Sequence, residues 1–585
     1  MKEKKFIPLQ EAHELATEYL GREVTPSNIM YLVQYARILR YDENGRQKKN
    51  SAGVTMISVD ELKNYYESLR RRDQKWKEHL GPDVTWELAF GDITERERTK
   101  HVHRLHPYKG KFIPQLTEYF LDEHTSESKK EPFFHKGDTV LDPFVGSGTT
   151  LVQCAELGLN SVGVDISKFN CWISQVKIQE YDIADLRSHA LKALKSTQAF
   201  SKSTFHDAED KAIREELSNH NLIYFPNPEF KILIQTLRKL QRTASKKTSA
   251  EDEINSFLNR LKIDINFHFG EIDEQKIVNE FTKRYSDLVI TKINENLDAV
   301  PIIQQERLFP DSEEGTMTKS LLSSSPFLSK WFTERQLLEM DHYLGQINEV
   351  EDVAIQKVLR IILSRTVRST RATTHSDLAT LVEPQTEPYY CTKHYKICTP
   401  IRTIIQHLRR YTRDTISRIE TFSKLREDVF AEVLNADSTS VNVFKEIKKK
   451  NKAFSEILSK RKIDGIFTSP PYLGLIDYHE QHAYAYELFD IERKDDQEIG
   501  RMSNGSSQKA QQEYVRGISE VLLNMKKYMK DDAHIFIVAN DSFNLYPLIA
   551  KESGLRIVKE YKRPVLRRSE RDKQPYSESI FHMVP

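Results

Sequence analysis

The sequence is short of cysteine, of net charge and of long apolar runs. Four cysteines in 585 residues exclude a disulfide scaffold and fit a reducing compartment. Lysine and arginine (87) nearly balance aspartate and glutamate (86), leaving a formal charge of +1. No global field therefore attracts a polyanion, and any nucleic-acid contact must come from local basic faces. Nowhere do about eighteen apolar residues follow one another, so no membrane-spanning helix is predicted. Met1-Lys2-Glu3-Lys4-Lys5-Phe6 leads into charged amphipathic sequence without a signal-peptide core. These absences predict a cytoplasmic protein with no membrane partner. No internal repeat is found. The 38% hydrophobic and 30% charged content is that of a globular chain long enough for about two to four domains.

Two stretches carry chemistry. Ile463-Asp464-Gly465-Ile466-Phe467 reads as an apolar strand that stops at Thr468-Ser469-Pro470-Pro471-Tyr472. Neither proline can donate to a ladder, and each restrains its own φ and the residue before it. A stiff turn is predicted at the carboxyl end of a strand, where open α/β sheets bind ligands. It offers a hydroxyl (Ser469), a carbonyl (Pro470) and an aromatic face (Tyr472), which suit a planar base bearing an exocyclic amine. The second stretch is Asp142-Pro143-Phe144-Val145-Gly146-Ser147-Gly148-Thr149-Thr150, directly after the apolar Val140 and Leu141. Its glycines allow a tight turn and close backbone approach, and a helix from about Thr149 points free N–H groups at a ligand. Roughly twenty residues on, Ser161–Val164 ends in Asp165, where a carboxylate would meet a ribose diol. The residue three after Gly148 is Leu151, so the nicotinamide fingerprint Gly-x-Gly-x-x-Gly is not met.

Together these motifs resemble those of amino-group DNA methyltransferases, and the serine loop is most similar to the cytosine-N4-specific branch found in restriction–modification systems. The resemblance covers about Leu105 to Lys177 and Ala431 to the end. It implies an α/β, Rossmann-like S-adenosylmethionine-dependent methyltransferase sheet. It places Asp142, Phe144, Gly146 and Gly148 in the loop under the cofactor, Thr149 and Thr150 near the methionine carboxylate, Asp165 on the ribose and Asp437 on the adenine amino group. Pro107 to Lys111 resembles an additional cofactor-side motif. Ser469, Pro470, Pro471 and Tyr472 become the catalytic loop: the hydroxyl and carbonyl accept from the amine, and the tyrosine stacks on a base flipped from double-stranded DNA. No metal is required. A partner restriction endonuclease is implied by the family alone.

Other substrates share parts of this pattern. Adenine-N6 enzymes more often begin the loop with Asp or Asn, and RNA or protein-glutamine methyltransferases use a related Asn-Pro-Pro-Tyr. A non-catalytic DNA-binding regulator could keep the fold, but the intact motifs argue against it. Methylation at carbon five needs a cysteine nucleophile, typically after proline. Cys154, Cys171, Cys391 and Cys398 follow Gln, Asn, Tyr and Ile.

Residues 1–70 predict a winged helix-turn-helix-like DNA-binding module. Helical spacing runs over Leu9 to Leu20, Thr25-Pro26 starts a second helix, Ile38 to Ile57 reads as a hairpin-like wing around Asn44-Gly45, and Ser58 with Glu61 forms a capping box. Arg37, Arg40, Arg46, Lys48 and Lys49 would meet phosphates. Residues 71–180 form the cofactor half, beginning with a polar stretch from Arg71 to Lys100 that reads as a connection or an exposed helix. Residues 181–430 are a mostly helical insertion, with helical spacing over 232–240, 254–261 and 353–362. Residues 431–585 return to the sheet as the catalytic half. The insertion precedes the apparent third strand, Ala431 to Asp437, which leaves open whether it or the amino-terminal module carries target recognition. Arg365, Arg368 and Arg371, with Arg402, Arg409, Arg410 and Arg413, suggest DNA contact. Cys391, His394 and Cys398 suggest zinc, but the spacing shows no fourth ligand, and no metal is assigned. His479 and His482 lie close enough to the catalytic loop for substrate contact, and core or capping roles suit them at least as well.

Overall fold

The computed structural model describes residues 5–20, 24–34, 38–46, 54–91, 93, 95–205, 320–375, 383–385, 389–391, 393–394, 396–565 and 576–585, with single positions between 215 and 222. The chain forms two compact units.

The first unit takes described residues from 1–75, 204–317 and 372–401. Leu9–Leu20 and Pro26–Gln34 are helices. Thr25 caps the second, its Oγ1 accepting from the Asn28 amide at 3.3 Å, with proline in the first helical position. Ala12, Ala16, Ile29, Leu32, Ile57 and Leu62 share one small core. Phe6–Pro8 pairs antiparallel with Met56–Ser58, a ladder the periodicity does not reveal. Of the expected wing, the described part is a bridge from Tyr41 to Met56 and a turn from Asp42 to Arg46. Arg37, Lys48 and Lys49 lie outside the described residues. Ser58 caps the helix Val59–Leu80, accepting from the Glu61 amide at 3.3 Å. The Glu61 carboxylate does not close the capping box. It accepts instead from the Leu39 amide at 2.8 Å and from the Tyr41 hydroxyl, because those donors would otherwise be half-buried without a partner.

The second unit takes residues 76–203, 318–371 and 402–585. Its sheet has seven strands: β1 (Thr139–Asp142), β2 (Asn160–Asp165), β3 (Ala431–Asn435), β4 (Ile463–Thr468), β5 (Met529–Ala539), β6 (Arg556–Pro564) and β7 (Ser577–Val584). Their order is β6-β7-β5-β4-β1-β2-β3. The five strands from β5 to β3 run parallel, and β7 and β6 pair antiparallel beyond them. Val140, Leu141, Val162, Val164, Ile466, Ile535 and Ile537 are fully buried, as expected of parallel strands covered on both faces. The first part of the polar stretch after Arg71 continues the helix Val59–Leu80, and the part beyond it packs on the sheet. Leu88 is buried against Phe120 and Tyr561, and the Thr85 amide donates to the Lys562 carbonyl at 2.8 Å, covering part of the open edge of β6.

The insertion enters after the helix Lys168–Ile178 and returns at β3, which pairs with β2 from Ser161–Ala431 to Asp165–Asn435. It is divided between the units. The helices Ile183–Thr204, Glu334–Asn348, Val353–Thr370 and Ile405–Ser423 belong essentially to the second. The helical stretches expected over 232–240 and 254–261 lie outside the described residues. Glu339, fully buried, joins three of these helices. It accepts from Ser201 Oγ at 2.7 Å, Thr403 Oγ1 at 2.8 Å, the Ile404 amide at 2.8 Å and Arg335 Nε at 3.2 Å. Two of the arginines expected to meet DNA are buried: Arg365 pairs with Asp414 at 2.5 Å, and Arg371 lies over the Tyr484 ring. Among the described residues no helix is long and apolar enough to cross a membrane.

Candidate active site

β1 neighbours β2 on one side and β4 on the other. At such a switch point the loops leaving adjacent strands diverge, and a crevice opens outside their carboxyl ends. The crevice here encloses about 880 Å³ of empty space, part of it open to solvent. Its first wall is the Pro143–Gly148 loop, followed by the helix Thr149–Leu157. Gly146 has φ +47°, and a Cβ there would stand 2.8 Å from the Tyr108 hydroxyl. Gly148 has φ +75°, and its Cβ would stand 2.9 Å from Ser174 Oγ. Ser174 in turn donates to the Gly146 carbonyl at 2.9 Å, and the Lys177 ammonium donates to the Ser147 carbonyl. The loop is thus held from behind by the helix that follows β2.

Two carboxylates hold it from the sides. Asp165 accepts from the Gly146 amide at 2.9 Å and the Ser167 amide at 2.8 Å. Asp142 accepts from the Phe144 amide at 3.1 Å and from Thr468 Oγ1 at 2.6 Å. Burial pushes each carboxyl from 3.8 up to about 6, and the hydrogen bonds from neighbouring amides and hydroxyls offset only part of that rise. Thr150 Oγ1 donates to the Phe467 carbonyl at 3.2 Å, so the first loop and β4 are tied twice.

The opposite wall is the turn after β4. Ser469 and Pro471 line the crevice. The Pro471 carbonyl accepts from the Tyr514 hydroxyl at 2.9 Å, and Tyr514 meets Tyr546 at 3.0 Å. The Tyr472 hydroxyl donates to Glu578 at 3.3 Å, and Glu578 is paired with Arg563 at 2.6 Å. Pro470 is buried, and its carbonyl accepts no hydrogen bond from the described residues. The rigid Pro-Pro turn is therefore fixed through Pro471 itself and through Tyr472 after it.

Of the residues singled out from sequence, Asp142, Phe144, Gly146, Thr149, Asp165, Asp437, Ser469 and Pro471 line this one crevice. Gly148, Thr150, Pro470 and Tyr472 adjoin lining residues in sequence but do not themselves line it. Asp437 follows β3 by two residues, and its Oδ1 accepts from the Thr439 amide at 2.9 Å. His479 lines the crevice and is committed to Glu498 through its amide, at 2.7 Å, and its ring. His482 is a core residue. It sits among His106, Tyr108 and Phe169, and burial foremost lowers its pKa to about 3. Sequence reasoning passed over Asn170 and Glu498 as lining residues. The Ser167 cap, which accepts from the Asn170 amide at 3.2 Å, was a signal for the first. No local pattern marks Glu498.

The crevice sets carboxylates, amides and hydroxyls among a larger apolar lining that includes Phe112, Phe144, Val145, Ile166 and Ile499. Ser147 and Asn170 line it, and Ser147 Oγ and Asn170 Oδ1 are buried with no partner among the described residues, so water or a ligand would complete their hydrogen bonding. The loop glycines leave backbone room, and Asp165 presents an acceptor beside them.

Comparison with known proteins agrees with this geometry. A family described as DNA methylase matches residues 11–176. The chain is 46% identical over 581 residues to the type II methyltransferase M.MjaII of Methanocaldococcus jannaschii, covering 99% of this chain and 97% of that protein. It is 28% identical over 157 residues to the type II methyltransferase M.BsoBI of Geobacillus stearothermophilus, covering 25% of this chain and 28% of that one. Over 114 residues it is 34% identical to the type II methyltransferase M2.DpnII of Streptococcus pneumoniae, covering 19% and 40%.

Proposed function

The chain belongs to the type II DNA methyltransferases of the N6/N4 family, and on that premise we propose that it transfers a methyl group from S-adenosylmethionine to the exocyclic N4 of cytosine in double-stranded DNA. The observation that carries this reading is the meeting of the Phe144–Thr149 loop and the Ser469–Pro471 turn on one crevice. The bound cofactor supplies an electrophilic methyl group. Asp165 would accept from its ribose hydroxyls and Asp437 from its adenine amine, with Phe144, Gly146, Gly148, Thr149 and Thr150 forming and supporting its seat.

A cytosine amine is a poor nucleophile because its lone pair is conjugated with the ring. Ser469 Oγ and the Pro470 carbonyl would accept its two N–H groups and draw the nitrogen towards tetrahedral geometry. Tyr472 would stack on the flipped base, and alignment in the crevice would supply much of the rate. Serine rather than Asp or Asn at position 469 favours cytosine over adenine. Duplex contact would come from the amino-terminal helices and from Arg40 and Arg46 beside their turn. The modification would protect DNA from a cognate restriction endonuclease.

Mass analysis of nucleosides from duplex DNA treated with the protein and labelled cofactor tests this. N4-methylcytosine is expected. N6-methyladenine would overturn the base assignment, and unlabelled DNA from a protein that still binds cofactor would overturn the DNA substrate.

A further inference from the structure

The first unit holds a cluster of donor atoms, none of which lines the crevice. Tyr389–Cys391 and Lys396–Cys398 pair antiparallel, with Tyr389 opposite Cys398 and Cys391 opposite Lys396. That register puts both cysteines on the same face of the hairpin, diagonal to each other. His394, in the connecting turn, brings Nδ1 to 3.6 Å from Cys398 Sγ. His375, sixteen residues before Cys391, brings Nδ1 to 3.7 Å from Cys391 Sγ. The two imidazole centroids are 4.5 Å apart. One donor atom from each of the four residues lies within 4.8 Å of every other, and Cys391 and Cys398 are only 1% and 8% exposed.

We propose that His375, Cys391, His394 and Cys398 bind one structural Zn²⁺. A tetrahedral ion with Zn–S of about 2.3 Å and Zn–N of about 2.0–2.1 Å has S···N edges of about 3.6 Å, and the S···N separations of 3.6 and 3.7 Å match that edge. The set of two thiols and two imidazoles closes the coordination shell, as a structural rather than a catalytic site requires. The hairpin also needs such a tie. Its strands are three residues each, its own apolar cluster is Tyr389 with the two cysteines, and an isolated hairpin of that size is marginal in water. The Tyr389 hydroxyl accepts from the His375 amide at 2.9 Å and lies 2.8 Å from His375 Nδ1, a hydrogen bond that coordination of the ion through Nδ1 would replace. The other ligand-like group among the described residues, His101, His103 and Glu156, lacks this character. Lys100 already occupies its carboxylate at 2.6 Å, and the Lys111 ammonium stands on the His103 carbonyl at 2.8 Å, so cations already surround it.

The test uses the full chain, purified without a metal-chelating tag and without added metal. Elemental analysis is expected to find one zinc per chain, and X-ray absorption a shell of two sulfur atoms at about 2.3 Å and two nitrogen atoms at about 2.0 Å. Cobalt-substituted protein should show thiolate-to-cobalt charge transfer and the visible bands of a tetrahedral ion. Cys391→Ser and His375→Ala should abolish zinc retention against a competing chelator, whereas Cys171→Ser should not. If the first two variants fail to fold, thiol modification of the unaltered protein decides the matter: two thiols should react for each zinc released. Absence of zinc, a shell without sulfur, or a Cys391–Cys398 disulfide in protein kept anaerobic would overturn the proposal.

Discussion

Asp165 should set the lower pH limit of cofactor binding. Its carboxyl is raised from 3.8 to about 6, first by burial. Donating hydroxyls favour the ionised form, so affinity should be full above that value and fall as pH drops through it. A single competing proton makes binding about tenfold weaker at pH 5 than at pH 7. Calorimetric titration with the cofactor across that range checks it, and Asp165→Asn should bind weakly at every pH. In the unliganded protein the sign for stability is the opposite of the usual carboxylate case. The fold holds these protons more tightly than the unfolded chain does, so the contribution of Asp142 and Asp165 is present below 3.8 and lost as pH rises through about 6. Ser469→Ala should remove one acceptor for the amine. Transfer should slow about tenfold to a hundredfold, corresponding to about 1–3 kcal/mol, with cofactor affinity unchanged. Single-turnover methylation alongside cofactor titration separates the two effects, and equal loss in both would refute the assignment. These residues were legible because their neighbours in sequence are so restrictive. Pro470 and Pro471 dictate the turn that carries Ser469, and Gly146 and Gly148 dictate the loop opposite.

At the scale of elements, the loop after β1 works only with glycine at its bend. Gly148→Ala would have to hold φ near +75° with a Cβ 3.2 Å from the Ser174 Cα, and a left-handed backbone costs a residue with a side chain about 1–2 kcal/mol. The loop should shift instead. Cofactor affinity is expected to fall more than about tenfold while the unfolding midpoint changes modestly, as binding and thermal melting of the variant would show. The sheet strands were readable from their apolar runs, since parallel strands are buried on both sides. The ladder of Phe6–Pro8 with Met56–Ser58 was not, because three residues show no period and the partners lie fifty residues apart in sequence. Glu61 illustrates a different failure. The local rule assigns it to its own helix end, whereas the fold gives it to Leu39 and Tyr41.

At the scale of the whole molecule, the second unit depends on a buried carboxylate that no motif announces. Glu339→Ala would remove the acceptor of the Ser201, Thr403 and Ile404 donors and one partner of Arg335. Breaking such a buried arrangement costs about 3–5 kcal/mol, so a large drop in denaturant midpoint is expected, and a change under about 1 kcal/mol would show that the helices are held by apolar contact alone. The sequence by itself determined the methyltransferase sheet and its two loops, because tight turns, glycine at positive φ and doubly buried strands are demands made by neighbouring residues on one another. Only the tertiary structure decided how the insertion is shared between two units, which arginines are buried, and that His375 completes a set with Cys391, His394 and Cys398. Those outcomes rest on contacts between residues distant in the chain, and spacing along a sequence does not record which distant side chains will meet.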